Sequence, residues 1–357
     1  MTRAVLEKKE HKHIDLSCPV PITNYEQVTM AHGGGGSLSN QLIERMFLKE
    51  FSNPMLDEGH DGAILELQGR LAFTTDSFVV NPIFFPGGTI GDLAINGTVN
   101  DLVCCGAIPK FISVGMILEE GLPMADLWAV VQSMGAAAKK ARVQVVTGDT
   151  KVVDKGKGDK IFINTSGIGV IPDGVDISPR RCRPGDRIII SGTIADHGVA
   201  IMSSREGLEF ETSIISDSAP LNDLFEKVLR VTRDIHVMRD PTRGGVSSAL
   251  NEIAKTSQRG IEIFEKEIPI SEEVQGACEI LGLDPLYIAN EGKILFFVPE
   301  DISDRVLAII REHPSGKDAA IIGRVTEGHA GLVRMKTRIG STRIVDMISG
   351  EQLPRIC

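Results

Sequence analysis

Two domains of mixed secondary structure, an α/β (α+β) chain, are predicted by three features of this 357-residue sequence. β-like runs and runs of helical period alternate through both halves. A polar stretch rich in proline and arginine, from Pro172 to Asp186, separates those halves. The hydrophobic content of 42 % and charged content of 24 % are those of a folded chain, and the length allows two cores.

The charge balance narrows the partners. At a formal −10, with no long lysine or arginine block and little aromatic interleaving, nucleic acid is disfavoured, although a local basic pocket for a nucleotide is not. No apolar run is long enough for a bilayer, and Met1 to Glu10 lacks the apolar segment of a secretory signal, so a cytoplasmic protein without a membrane partner is expected. The six cysteines show no repeated metal-ligand spacing.

Residues 1–30 are polar and aperiodic and read as an N-terminal extension, in which His11, His13 and Cys18 have no supporting ligands. The first domain is expected over 31–172. It opens with Gly33, Gly34, Gly35 and Gly36, followed by Leu42, Ile43, Met46 and Phe47 at helical spacing. Four consecutive glycines ahead of a helix suit either a bare linker or a mobile flap over an anion, and the run lacks the ending of a P-loop.

A hairpin is predicted from Asp61 to Val80, turning at Leu67-Gln68-Gly69-Arg70. Residues 89–105 read as a helix with Ile90, Leu93, Ala94, Val99 and Leu102 inside, and with Asn96, Asn100 and Asp101 either hydrogen-bonded or facing a pocket. Cys104-Cys105 are expected as inert buried packing. A strand at 111–118 and a helix at 123–141 lead to Val143-Gln144-Val145-Val146, whose β pattern ends in an acidic loop, Thr147-Gly148-Asp149-Thr150-Lys151. A charged turn is expected at 154–160 before Ile161-Phe162-Ile163, and another turn at Thr165-Ser166-Gly167-Ile168-Gly169.

The second domain is expected over 185–340, opening with a strand at 187–192. A helix at 221–231 precedes the rigid turn Asp240-Pro241-Thr242-Arg243-Gly244-Gly245, which runs into another helix. Cys278 falls in a helical core pattern. Glu291 and Lys293 stand at the start of a strand over 294–298; a short helix near 306–310 and strands near 320–322 and 332–333 follow. Residues 341–357 form a flexible tail ending in Cys357, whose own carboxylate discourages the thiolate, so incidental exposure and covalent chemistry both stay open.

Asp76, Asp101 and Asp149 are carboxylates on three separate elements with glycine-rich and basic neighbours. Together they suit a hard cation held against polyphosphate oxygens, and singly each also suits a strand end or a helix cap. Lys151 is placed either to meet phosphate or to balance those charges.

The run from Thr75-Asp76 through Asn100-Asp101 and Thr147 to Lys151, then Asp240 to Gly245, resembles the PurM-like ATP-binding superfamily of aminoimidazole ribonucleotide synthetase and selenophosphate synthetase. With His32 to Gly36 and the terminal Pro354-Arg355-Ile356-Cys357, it resembles in particular the carbamoyl dehydratases of [NiFe]-hydrogenase maturation, from about residue 30 to the end. That resemblance implies a PurM-like two-domain fold and a homodimer whose N-terminal domains pair their sheets and help form the ATP sites. It implies ATP and Mg2+, with Asp76, Asp101 and Asp149 at the metal. Gly33 to Gly36, Asn96, Thr147, Gly148 and Lys151 would meet the nucleotide.

It further implies that a HypF-like carbamoyl transferase loads Cys357. The loaded thiocarbamate is then dehydrated to a thiocyanate whose cyanide passes to iron on a HypC–HypD complex. Glu291 or Asp240 is the expected general base. The extension through residue 30 and Cys104-Cys105 depart from the core pattern. A selenophosphate-synthetase-like kinase is the enzymatic alternative, and a nucleotide-sensing scaffold with an unmodified tail is the non-enzymatic one.

Overall fold

Helix α1 (Ser37–Leu42) follows the glycine run and continues through a π-helical stretch, Ile43–Phe47, in a computed structural model that describes residues 19–206 and 214–347. Leu42 and Met46 face the core, while Ile43, predicted beside them, is 40 % exposed because the wider π turn rotates it outward.

The first sheet is built from β1 (Arg70–Phe78), β2 (Ile108–Glu119), β3 (Gln144–Val153) and β4 (Ile161–Ile171), in the order β1-β4-β2-β3. All its ladders are antiparallel except β2 with β3. Helices α2 (Ile90–Cys104) and α3 (Met124–Ala141) pack against it. Only Asp92, Asp101 and Cys104 of α2 escape full burial, as an element that is apolar on nearly every side requires. Its start is a reciprocal cap: the Thr89 hydroxyl accepts from the Gly91 N–H, and the Thr89 N–H donates to the Asp92 carboxylate.

Several local predictions fail. The hairpin does not form, since residues 64–68 make no strand and Ile64 is 76 % exposed. The acidic loop is strand: β3 keeps its parallel pairing with β2 from Gly148 through Val153, so the ladder satisfies backbone groups that the Thr-Gly-Asp composition would place in a turn. Residues 165–169, expected as a turn, are instead the middle of one continuous β4. The cysteine pair is also less enclosed than expected, with Cys104 half-buried and Cys105 exposed at the end of α2.

The second sheet contains β5 (Arg187–Ile190), β6 (Val237–Arg239), β7 (Gly260–Phe264), β8 (Leu295–Val298), β9 (Ala320–Thr326), β10 (Val333–Lys336) and β11 (Thr342–Ile344). Their order is β11-β10-β7-β9-β5-β8-β6. Helices α4 (Asp196–Glu206), α5 (Asn222–Leu229), α6 (Gly245–Ser257), α7 (Glu272–Leu281) and α8 (Glu300–Arg311) surround it. Phe225 of α5 and Ile310 of α8 pack with Ile189 and Phe296 in one core, while Leu250 and Ile253 of α6 pack with Ile188 and Phe297 in another. Cys278 is buried in α7, as its helical spacing predicts.

The halves interlock around α2. Ile201 and Ala289 from the second half join the first core, and Val103 from α2 joins the core under α5 and α8. The connection is reinforced by polar side chains of α2, which lie next to the chemistry described below.

Candidate active site

A cavity of about 220 Å³ lies along β3. Phe47, Phe51, Met116 and Val145 supply an apolar wall, and Thr147, Gly148, Asp149 and Lys151 a polar rim. Lys151 donates to the Asp149 carboxylate at 2.8 Å, and this hydrogen bond holds the Asp149 carboxyl below its ordinary range. Both side chains are well exposed, so the pair is available for exchange with a phosphate.

Of the glycine run, Gly33 and Gly35 line this cavity. A Cβ on Gly33 would stand 2.5 Å from the Val152 backbone nitrogen, so only glycine lets the loop lie against β3. The segment is fixed more than a bare hinge would be: the Gly35 N–H donates to the Ser39 hydroxyl at 2.9 Å. His32 is buried, accepts the Thr29 N–H at Nδ1 and packs edge-on against Tyr25; burial lowers its pKa, so it acts as neutral packing.

The second cavity, of about 240 Å³, opens where the two halves meet and is lined by Asp76, Asp101, Asp240 and Glu291 with Arg239 and Arg243. Asp76 comes from β1, Asp101 from α2, and the others from the second half. Burial raises the Asp76 carboxyl, and burial together with Asp240 raises Asp101 to about 7. Asp101 accepts a hydrogen bond from the Thr74 hydroxyl at 2.8 Å.

Glu291 is 4 % exposed, and its Oε1 accepts no hydrogen bond among the described residues. Burial, then the neighbouring Asp240, Asp217, Asp76 and Asp101, push its carboxyl well above the usual range. Burial raises Asp240 as well. Arg239 is paired with Glu252 at 2.6 Å, whereas Arg243 keeps a 76 % exposed side chain with Asp76 at 3.9 Å. The cavity therefore holds an excess of carboxylates with an exposed cation at its mouth.

The sequence candidates separate between these places. Gly33, Gly35, Thr147, Gly148, Asp149 and Lys151 converge on the first cavity, and Asp76, Asp101, Asp240 and Glu291 on the second. Gly34 and Gly36 line neither. Asn96 also lines neither: it is 3 % exposed and its amide donates to the Ser218 hydroxyl at 3.1 Å, which makes it a clamp between the halves. Cys357 and the terminal tetrapeptide lie outside the described residues, as do His11, His13 and Cys18.

Asp76, Asp101 and Asp149 do not meet within one chain. Asp149 pairs with Gly115, which pairs with Asn164, which pairs with Ser77, so the row from β3 to β1 spans three strand spacings, about 14 Å. Among the described residues no three histidine, cysteine, aspartate or glutamate side chains stand close enough to hold a metal ion. Sequence reasoning missed Asp217, which lies in an aperiodic segment and supports Glu291 from behind.

The thiols beside the second cavity are not activated. Burial first, then Asp240 and Asp101, raises Cys104 well above the ordinary thiol range, and burial and the same carboxylates raise Cys105.

The two halves match the two domains of the AIR synthase related proteins. Their N-terminal domain matches residues 59–171 and their C-terminal domain residues 183–336. The carbamoyl dehydratase HypE of Azotobacter vinelandii is 52 % identical over 331 residues, covering 92 % of this chain and 97 % of that protein. A crystal structure of the hydrogenase maturation protein HypE in complex with ATP superposes with a TM-score of 0.90 at 51 % identity, over 92 % of this chain and 99 % of that one. A HypE–HypF complex matches with a TM-score of 0.76 at 49 % identity, over 88 % of this chain and 100 % of that one. The chain belongs to the AIR synthase related family and, within it, to the HypE carbamoyl dehydratases of hydrogenase maturation.

Proposed function

We propose that this chain uses ATP to dehydrate an S-carbamoyl group on Cys357 to a thiocyanate, the source of the cyanide ligand of [NiFe]-hydrogenase iron. The observation that carries the reading is Glu291, a buried carboxyl with an unpartnered oxygen in an acidic cavity at the junction of the halves.

The carbamoyl oxygen is a poor leaving group. Its attack on the γ-phosphorus, with cleavage of the bond to the β-phosphate oxygen, converts it into a phosphate ester. Loss of both protons from nitrogen and departure of that phosphate then leave S–C≡N, with ADP and phosphate as products. Glu291 is placed to take a proton from nitrogen, and Asp240 is the nearby second acceptor. Arg243 and Lys151 are exposed cations that would meet phosphate oxygens.

The acidic cavity fits a divalent cation, because Asp76 and Asp101 are raised carboxyls facing further carboxylates, and Mg2+ bound with nucleotide needs only one or two protein carboxylates. Held by Asp76 and Asp101, Mg2+ would neutralise charge on the transferring phosphoryl group and on the carboxylates around Glu291.

The 14 Å between the sheet edges is bridged by a second copy. The outer face of the first sheet leaves Leu71 46 %, Phe73 70 % and Ile117 44 % exposed, an apolar surface suited to a homodimer in which one protomer's β3 edge meets its partner's acidic cavity. The segments expected at 31–172 and 185–340 would then be the ATP-binding, dimerising domain and its C-terminal companion. Ile22 and Val28 nevertheless join the first core, and β11 with the buried Val345 belongs to the second sheet, so only the part of 341–357 beyond Met347 is left to serve as the acceptor tail. The HypE–HypF complex supports a HypF-like carbamoyl donor as partner. A HypC–HypD complex would receive the cyanide. None of the described helices is long and apolar enough to cross a membrane, in keeping with a cytoplasmic reaction.

The test is the intact mass of the C-terminal peptide after incubation with a HypF-like carbamoyl donor system, before and after magnesium and ATP are added. A carbamoyl adduct on Cys357 that loses one water only with ATP is expected. A tail left unmodified by a competent donor would favour the scaffold.

A further inference from the structure

We infer that Asn100 and the buried Asp217–Lys293 ion pair are positioning residues that fix Glu291 at the junction of the two halves. This rests on the proposed role of Glu291 and adds what holds it in place. Both backbone polar groups of Glu291 are taken by side chains from different elements. Its N–H donates to Asp217 Oδ1 at 3.0 Å, and its carbonyl accepts from Asn100 Nδ2 at 3.1 Å.

Asn100 is 1 % exposed and spends its whole amide on this junction. Besides Glu291, its Nδ2 donates to the Ala219 carbonyl at 3.0 Å, and its Oδ1 accepts from the Leu221 N–H at 2.9 Å. One side chain of α2 therefore ties two segments of the second half together, while the next residue, Asp101, faces the acidic cavity.

Asp217 is held on the other side. Lys293 Nζ lies 3.1 Å from Asp217 Oδ2, with side chains 10 % and 4 % exposed. Burial alone would raise the Asp217 carboxyl, but Lys293 and His197 outweigh it and the pKa is lowered, so the aspartate stays charged to accept the Glu291 N–H. Gly292 leaves no slack between the partners, since a Cβ there would meet the Asp217 carbonyl oxygen at 1.8 Å. Among the described residues, a carboxyl with an unsatisfied Oε1 is thus held by hydrogen bonds to its backbone, which aims it without consuming its proton-accepting oxygen.

The experiment is rapid-quench dehydration of the carbamoylated full-length protein, with Lys293→Met, Asp217→Asn and Asn100→Ala each made in the parent and in Glu291→Gln. Thermal melts identify folded variants, and Asn100→Ala approaches the same loop from the other half of the chain. Each change is expected to lower the single-turnover rate constant about 10- to 100-fold in the parent, the cost of misplacing a reacting group. Half-saturating ATP should stay within about twofold. Lys293→Arg should keep most of the rate. In Glu291→Gln the same changes should cost less than about threefold, because the group they aim is already gone.

Folded variants with the parent's rate constant would overturn the inference, as would losses of full size in the Glu291→Gln background. A Glu291→Gln protein that dehydrates at the parent's rate would instead remove the proposed role of Glu291, a distinct result.

Discussion

The cavity along β3 is walled by Phe47, Phe51 and Met116 and carries one lysine already paired with Asp149, whereas the junction cavity gathers Asp76, Asp101, Asp240 and Glu291 against two arginines. On the proposed reading, the first would gain affinity by covering an apolar ring. The second holds carboxyls raised by burial and by one another, a stored repulsion that a cationic or proton-donating ligand relieves. Contact with the nucleotide's apolar part is therefore assigned to the first surface and the cation and proton transfer to the second, with Lys151 and Asp101 at the phosphates between them, so changes to the apolar wall should leave the rate at saturating ATP alone.

The largest effect should come from Glu291→Gln. Dehydration of carbamoylated protein is expected to fall about 10²- to 10⁴-fold, the usual worth of a positioned base, with ATP binding retained; rapid quench and nucleotide titration on one preparation check both. Next, Phe47→Ala removes part of the apolar wall. It should raise half-saturating ATP about tenfold, from roughly 1–2 kcal/mol of lost burial, while the rate at saturating ATP stays put.

A smaller effect follows from Asp101, whose carboxyl is raised from an ordinary 3.8 to about 7. Below that value it is protonated and must release the proton before taking a cation, so affinity for magnesium nucleotide should fall several-fold between pH 8 and pH 6, and Asp101→Asn should flatten the profile. The same shift has a second sign to check. The folded state holds this proton more tightly than the unfolded one, so stability without ligand should fall as pH rises from about 4 to about 7, and denaturant titrations of Asp101→Asn should lose that slope.

The smallest change is expected for Asn96→Ala. Losing its bond to Ser218 should cost about 1 kcal/mol in denaturant unfolding and leave ATP binding unchanged. A large loss of ATP affinity would return Asn96 to the nucleotide contacts that the sequence suggested.

Helical periodicity made α2 and α3 legible nearly to their ends, because long amphipathic or buried helices declare themselves within one window. β3 was cut short in prediction, since Thr147-Gly148-Asp149 has turn composition and the ladder that overrides it comes from β2, distant in sequence. Individual site residues were legible through motifs, but not their partition: strand order puts Asp149 and Asp76 at opposite edges of one sheet, and strand order is a property of the fold. Asp217 was invisible because nothing periodic surrounds it, and its meaning comes only from Glu291 and Lys293.

The most direct test of the central claim, that one working site joins the β3 edge of one protomer to the acidic cavity of another, is subunit complementation. Lys151→Ala and Glu291→Gln proteins, each carrying the tail and each deficient alone, would be mixed under conditions that exchange protomers, and dehydration of carbamoylated tails measured. The account predicts recovery toward about a quarter of the parent's activity at equal mixing, because half the dimers are hybrid and one of their two sites is intact. Hybrid dimers that form and stay inactive would contradict it.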